Sequence, residues 1–533
     1  MLPVAVLVSA LLLWFLLRSL KKVFIVGAVS ALSLVITLGI MGWLGLTMNM
    51  VTVALPPVLW VLSTAYVVHL IRYYDAAIHR GASPEDAIDR ALAIGTRPCF
   101  LAATTTCLGF LALLTADMVP VRELGLAAAL GIPVAFVVTF GLAPVLLQYF
   151  QPAPSRKRER DGGSGLLFGV RYARPLIFGA VVLSIACLFF TTRVDIKSNP
   201  LNFLAPSSAI VQDSSVVAER FTGLYTLETV MELNDSWLNP TTWPAIESQT
   251  QALQRAAGVA RVISPLDYLK KLNQWAAGGG EESYRLPQDR ERAEALVAEV
   301  PEDDRAPLQA LVSPDGTRVR LSTLVSVMEG DELLAIVDAS TASLEQLERV
   351  TGSYHTGVVL RLVQAQFALI DTQLKSLGLA MLIIFGCIAL GLRSFRLLVL
   401  SLAPNLAPVL ALFGIMGLTG ISLDPATVMV AAMVLGIAVD DTMHLLLTWR
   451  ERWQESGDPE IALRDAVRVN GPAMTATTWM ACAGFLVLSL SSFAPIRYFG
   501  LLSAAAMAVA LLADLWLLPA LIQLSSERKV ELT

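Results

Sequence analysis

The chain of 533 residues is 55% hydrophobic and only 16% charged, with a mean hydropathy of +0.64, where soluble domains carry about 25% charged residues. That composition excludes an ordinary soluble protein and points to one built into a membrane. With 39 Lys+Arg against 44 Asp+Glu, the net charge is −5, and no basic face or tail supports binding to DNA or RNA.

In chain order, eleven apolar stretches approach the roughly 20 residues that a bilayer crossing needs: 2–17, 23–46, 51–71, 99–115, 124–150, 175–192, 377–392, 397–418, 426–449, 473–490 and 499–521. The first lacks the basic start and small-residue cleavage site of a signal peptide, and a second apolar run follows at once, so it reads as a span. Cys107, Cys187, Cys387 and Cys482 lie inside these runs and Cys99 at the mouth of one. With no CxxC spacing they indicate neither a disulfide framework nor a zinc site and read as small core residues.

Basic residues collect in alternate connections: Arg18, Lys21 and Lys22, then 72–97, 156–174, Arg393 and Arg396, 450–468, and the tail with Arg528 and Lys529. The opposite short loops hold only Arg122 and Arg497. Because Lys and Arg favour the cytoplasmic side, the N-terminus is expected outside, the C-terminus inside and the long segment after Arg193 outside. In a diderm bacterium this describes a multi-pass inner (cytoplasmic) membrane protein with a periplasmic domain.

The exterior segment, 193–375, is acidic where the membrane part is net basic. Stretches 225–232 and 317–328 alternate like strands, while 244–256 and 343–349 read as helices, giving an α+β module. Gly278, Gly279 and Gly280 beside Glu281 and Glu282 suggest a flexible insertion. The expected layout is a first transmembrane repeat at 1–150, a cytoplasmic linker at 151–174, a sixth helix at 175–192, the exterior porter-like domain at 193–375, a second transmembrane repeat at 376–522 and a cytoplasmic tail at 523–533.

The repeat itself is legible as a constant offset of 375 positions. Arg18-Ser19 recurs as Arg393-Ser394, Met41-Gly42 as Met416-Gly417, His69 as His444, Gly109-Phe110 as Gly484-Phe485, Gly125 as Gly500 and Pro144 as Pro519. Six helices separate each pair, an even number, so the halves are parallel repeats about an axis along the membrane normal. Met1 already matches Ser376, and a once-complete first half predicts roughly 200 residues ahead of Met1.

Ionisable side chains in hydrocarbon cost about 2.5–3.5 kcal/mol each on insertion scales, so those retained are functional candidates. The ninth span holds Gly436-Ile-Ala-Val-Asp440-Asp441-Thr442-Met-His444. Asp440 and His444, four apart, share a helix face, and Asp441 points about 100° away. Two adjacent carboxylates in a low dielectric do not both ionise easily, as suits a proton carrier. The competing structural reading is a polar layer that glues helices together. Thr475, Thr477 and Thr478 on the next span are candidates for a relay, against the alternative of bonding back to their own helix. Asp514 is a further buried acid. Gly436, Gly484 and Gly500 read as close-packing positions. In the first half Ala65 and Tyr66 stand where the acids would be, and His69 remains; its bland reading is a snorkelling group at the membrane surface.

The parallel repeats, the large exterior segment after a repeat's first helix, the GIAVDDTMH stretch and Gly471-Pro472 opening the following span resemble the resistance-nodulation-division (RND) superfamily. The resemblance covers the whole chain and is to its MMPL-like and predicted-exporter branch, related to sterol-sensing-domain proteins. It implies an α-helical polytopic membrane protein with an α+β exterior domain that exports lipids or other hydrophobic molecules using the proton-motive force. Asp440 matches the family's proton-binding aspartate and Asp441 the polar residue beside it. The implied proton relay is Asp440, Asp441, His444, Thr477 and Thr478, with Asp514, Tyr66 and His69 as secondary candidates. Protons are the coupling ion and no other cofactor is implied. Membrane lipids, a periplasmic accessory protein and a second copy of the chain are the candidate partners. The alternatives are a lipid- or sterol-binding sensor or scaffold with the same fold and no proton flow, a truncated inactive relative, and, from another class, a membrane enzyme using Asp440, Asp441 and His444. For the enzyme, one cluster supplies too few histidines for a di-iron site and no GxGD motif is present.

Overall fold

A computed structural model describes residues 2–49, 51–116, 118–154, 167–196, 199–220, 223–326 and 329–530. The chain divides into a helical unit, Met1–Ile196 with Leu369–Thr533, and a second unit, Lys197–Ala368. Parts of the expected linker (155–166), tail (531–533) and second strand (327–328) lie outside the described residues.

The helical unit begins with α1 (Leu2–Leu17), α2 (Leu20–Trp43), α3 (Leu55–His79), α4 (Pro84–Leu111), α5 (Val119–Phe150) and α6 (Ala173–Thr191). Ten helices among the described residues are long and apolar enough to cross a membrane, one fewer than expected. The exception is α1: its 16 residues rise about 24 Å, short of a hydrocarbon core of roughly 30 Å. Several helices outrun their apolar stretches. In α4 the Ser83 side chain caps the Asp86 amide at 3.2 Å, well ahead of the apolar residues that begin near Cys99. The outer face of α6 is almost wholly exposed apolar side chain, Phe178 at 72% and Ile185 at 64%, as a lipid-facing surface requires.

The exterior unit contains α7 (Ala209–Arg220), β1 (Tyr225–Leu233), α8 (Trp243–Gln254), β2 (Val259–Ile263), α9 (Pro265–Ala276), α10 (Arg290–Ala298), β3 (Arg318–Val325), α11 (Gly330–Leu344) and β4 (Val350–Thr356). The antiparallel sheet runs β2-β3-β1-β4. Two β-α-β passes with this order form a ferredoxin-like split βαβ module. Alternate residues Leu227, Thr229 and Met231 of β1 face a core shared with Ile246, Leu269 and Leu333 from the helices. The expected strands 225–232 and 317–328 and the helix 244–256 correspond to β1, β3 and α8. The expected helix 343–349 is corrected: only Ser343 and Leu344 are helical, as the end of α11, whose capping box of Glu329 and Glu332 starts it well upstream. The triple glycine follows α9, with Gly278 and Gly279 at φ +90° and +92°.

The helical unit continues with α12 (Val358–Leu392), whose first residues belong to the exterior unit, α13 (Phe395–Thr419), α14 (Pro425–Ser456), α15 (Pro459–Leu488) and α16 (Ala494–Leu512). A π-turn, Ala513–Leu517, leads from α16 into α17 (Leu518–Val530). The most enclosed helices are α3 and α14, whose apolar stretches are almost wholly buried. They occupy equivalent places in the two halves.

The 375-residue repeat persists at atomic detail. Arg18 and Arg393 both adopt φ +47°, the left-handed conformation that lets one helix end and the next start two residues later. At the start of α3 the Val51 and Thr52 amides donate to Asn49 Oδ1, and Thr52 Oγ1 returns to the Thr47 carbonyl. At the start of α14 Asp424, Ala426, Thr427 and Ser422 make the same turn. Cys107 donates to the Ala129 carbonyl at 3.3 Å, and Cys482 to Ala504 at 3.3 Å. A Cβ on Gly125 would meet Phe110 O and Leu113 Cβ, and one on Gly500 would meet Phe485 O and Leu488 Cβ. Gly500 therefore has the close-packing role expected of it, whereas Gly436 and Gly484 would meet Thr106 Cγ2 at 3.4 Å and Val61 Cγ2 at 3.6 Å.

Candidate functional site

The ionisable cluster hangs on α14. Asp424 starts that helix by accepting the Ala426 and Thr427 amides at 2.8 Å each, and no proline interrupts it, so residues 440 to 444 sit on a regular helix amid protein. Asp440 and Asp441 are 5% and 8% exposed, and Thr442 and His444 are fully buried.

Successive positions of the motif face different partners. On one side, His444 Nε2 lies 3.4 Å from Asp440 Oδ1 and 3.8 Å from Cys99 Sγ of α4. Its other nitrogen, Nδ1, is 3.3 Å from the Tyr73 hydroxyl of α3. The His69 ring stacks on His444 with centroids 4.4 Å apart and planes 3° from parallel. Asp440 Oδ1 is within ion-pair reach of His444 but outside hydrogen-bond geometry, and it makes no hydrogen bond. Neither His69 nitrogen is bonded, nor is the Tyr66 hydroxyl, and both residues are buried. Unpaired polar atoms in such a setting each cost about 1–3 kcal/mol.

On the other side, Thr442 Oγ1 donates to Asp514 Oδ1 at 2.5 Å and receives Asn405 Nδ2 of α13 at 3.2 Å. Asp514 is the second residue of the π-turn, a distortion found often at functional positions. Asp441 belongs to this side, beside the Thr478 hydroxyl of α15 and within the field of Asp514.

The structure thus gathers Asp440, His444, His69 and Tyr66 near the contact between the two halves, and Asp441, Thr478 and Asp514 within the second half. Thr477 and Thr475 are not brought in by bonding: their hydroxyls return to Ala473 and Met474 and to Gly471 of their own helix. His69 is corrected from a snorkelling group: it is 1% exposed because α3 is central. Lys22, grouped above with the loop cations, is fully buried and bonded to both Asp75 oxygens at 2.7 and 2.8 Å. Sequence reasoning passed over Tyr73, Cys99, Asn405 and Thr442 as partners. Tyr73 stands one turn from His69, and Asn405 is a lone amide in an apolar run; both are readable signals. Among the described residues, no group of three or more His, Cys, Asp or Glu is placed to hold a metal ion.

Two repeats of one helical frame, with buried carboxylates on the central helix of the second and an α+β insertion between them, describe a multi-pass membrane protein. The chain belongs to the MMPL family, whose model matches residues 1–175 and 202–532, within the RND superfamily. It is similar to the putative membrane protein MJ1562 of Methanocaldococcus jannaschii, 23% identical over 371 residues, 66% of this chain and 90% of that protein. It is similar to the hopanoid transporter HpnN of Rhodopseudomonas palustris, 27% identical over 205 residues, 38% of this chain and 23% of that protein. It is also similar to the heme uptake protein MmpL11 of Mycobacterium tuberculosis, 23% identical over 485 residues, 86% of this chain and 46% of that protein. The matched parts are less than half the length of the last two relatives.

Proposed function

We propose that the chain moves lipids or other hydrophobic molecules out of, or across, the inner membrane of a bacterium, driven by inward proton movement. The observation that carries this reading is Asp440: a buried carboxylate with one unbonded oxygen, set beside His444 where the two halves meet. Hopanoids and heme, the cargoes in the names of two relatives, are both largely apolar molecules, which supports a hydrophobic cargo here.

A proton entering from the periplasm binds Asp440, with Asp441, Thr478 and Asp514 forming the polar ground behind it. Neutralising a buried charge removes a desolvation cost and shifts the balance between two arrangements of the halves. Each proton supplies about 2.3 kcal/mol per 100 mV of membrane potential, enough to bias such an equilibrium. The exterior unit, joined in sequence to α6 and α12, then handles cargo from the periplasm or outer leaflet. The connection between α1 and α2 and the C-terminus lie on the cytoplasmic side and the exterior unit on the periplasmic side, a reading the basic residues of alternate connections support. Self-association and a periplasmic accessory protein complete the proposed assembly.

The test is transport of a fluorescent phospholipid in inverted membrane vesicles under an imposed pH gradient. The wild-type chain should accumulate the probe only with the gradient present. An Asp440→Asn variant, correctly folded, that accumulates it equally well rejects the reading.

A further inference from the structure

His69 and His444 are repeat equivalents, since 69 and 444 differ by the same 375 positions that relate every other matched pair. A residue that touches its own repeat equivalent lies on the axis relating the two copies. The stacked rings, 4.4 Å apart and 3° from parallel, therefore mark the pseudo-twofold axis of the helical unit, with one imidazole supplied by each half. Two facing cations at that distance in a buried site repel strongly, because little water screens them.

We propose that the His69–His444 stack is a one-proton joint between the halves, through which the first half, lacking acids at Ala65 and Tyr66, senses the proton carried by the second. This rests on the proton-driven reading above. When Asp440 gives up its proton, the O–H bond breaks and an N–H bond forms at His444 Nε2, 3.4 Å away, leaving a carboxylate and an imidazolium. The charge then sits on the axis against neutral His69.

Two imidazolium rings stacked 4.4 Å apart would repel, so the stack accommodates at most one added proton. Asp440 on α14, 3.4 Å from His444 Nε2, and Arg72 on α3 are the charged groups that act on the pair. Tyr73 and Tyr66 of α3 and Cys99 of α4 are the other titratable groups in the cluster, and Glu451 of α14 acts on Tyr73. The His69 nitrogens make no hydrogen bond in this arrangement, so nothing fixes which of them holds its proton.

The chain has only four histidines, His69, His79, His355 and His444, so 15N-histidine NMR of the full chain in lipid can count imidazolium signals from about pH 5 to 8. The expected result is that the His69 and His444 signals together gain one proton. Gain of two, or of none, overturns the proposal. In parallel, His69→Phe keeps a flat ring on the axis but cannot take a proton, and His69→Gln is the neutral, smaller check on folding. Both should slow gradient-driven movement of the fluorescent phospholipid at least tenfold and flatten its pH profile. If Asp440→Asn abolishes transport but both His69 variants transport with the wild-type profile, the joint is wrong and the proton-driven reading stands. If Asp440→Asn itself transports normally, the failure lies with that reading.

Discussion

Within the motif, adjacent residues divide the work because a helix turns them apart by about 100°. Asp440 and His444 look toward the first half; Asp441 and Thr442 look toward Thr478, Asn405 and Asp514. Asp440→Asn should therefore lower proton-driven transport by about 100-fold or more, as loss of a positioned proton-transfer group does, whereas Thr477→Val should leave it nearly unchanged. Thr477 already spends its hydroxyl on Ala473 and Met474, and equal losses in both variants would show that the carboxylate is not special. The identities of these acids were legible in the sequence because charge in an apolar run stands out. Their partners were not, since Tyr73, Cys99 and Asn405 are ordinary residues until helix packing puts them within 3 to 4 Å of the motif or its neighbours. Lys22 shows the same limit: next to Lys21 it reads as a loop cation, yet it is enclosed with Asp75. Removing one partner of such a pair strands the other's charge. Lys22→Met should cost about 3–5 kcal/mol, and a double Lys22→Met, Asp75→Leu variant should regain most of it, as read from thermal unfolding in detergent.

The helices carry the two halves' likeness in their turns and contacts. Gly125 and Gly500 each bring a backbone against the preceding helix of its half, where an added Cβ would meet Phe110 O or Phe485 O. Alanine at either should destabilise the helical unit by about 1–3 kcal/mol through overpacking. Alanine at Gly39, which faces open space, should have no such cost; comparable losses at all three would contradict the packing account. In the exterior unit, His355 of β4 sits between Thr229 Oγ1 at 3.0 Å and Thr341 Oγ1 at 3.1 Å, joining β1, α11 and β4. Burial holds its pKa below the ordinary 6.5, against a smaller opposing pull from Asp338. With the folded value depressed, the neutral ring's contribution is complete above about pH 6.5, and it is lost as pH falls from there through the folded value. The exterior unit's unfolding temperature should drop over that range in the wild type and respond less in His355→Gln. An identical pH response in the two would exclude His355 as the cause. Period-two alternation made β1 and β3 legible. The edge strand β4 was hidden by its polar composition, VTGSYHT, which has no clear apolar face.

At the scale of the whole molecule, the repeat offset was the most informative sequence signal, because equivalent turns, caps and sulfur–carbonyl bonds recur at 375 positions throughout the helical unit. What the offset could not convey is that α3 and α14 lie at the centre, which turns His69 from a surface group into the partner of His444. The asymmetry is then chemical rather than architectural. Both halves share one frame, and only the second has acids at the equivalent positions, while Asp514 is matched by Thr139 with a buried, unbonded hydroxyl. In the proposed mechanism such a frame rocks about its axis, with the proton bound on one side of it.

The most direct measurement of that claim is proton entry into liposomes holding the purified full chain, followed with a trapped pH-sensitive dye under an imposed membrane potential in the presence of the fluorescent phospholipid. Wild-type protein should admit protons in step with probe movement, and Asp440→Asn should do neither while keeping the wild-type unfolding temperature. Probe movement that persists in Asp440→Asn, or that proceeds in the wild type without proton entry, would contradict a proton-driven mechanism centred on Asp440.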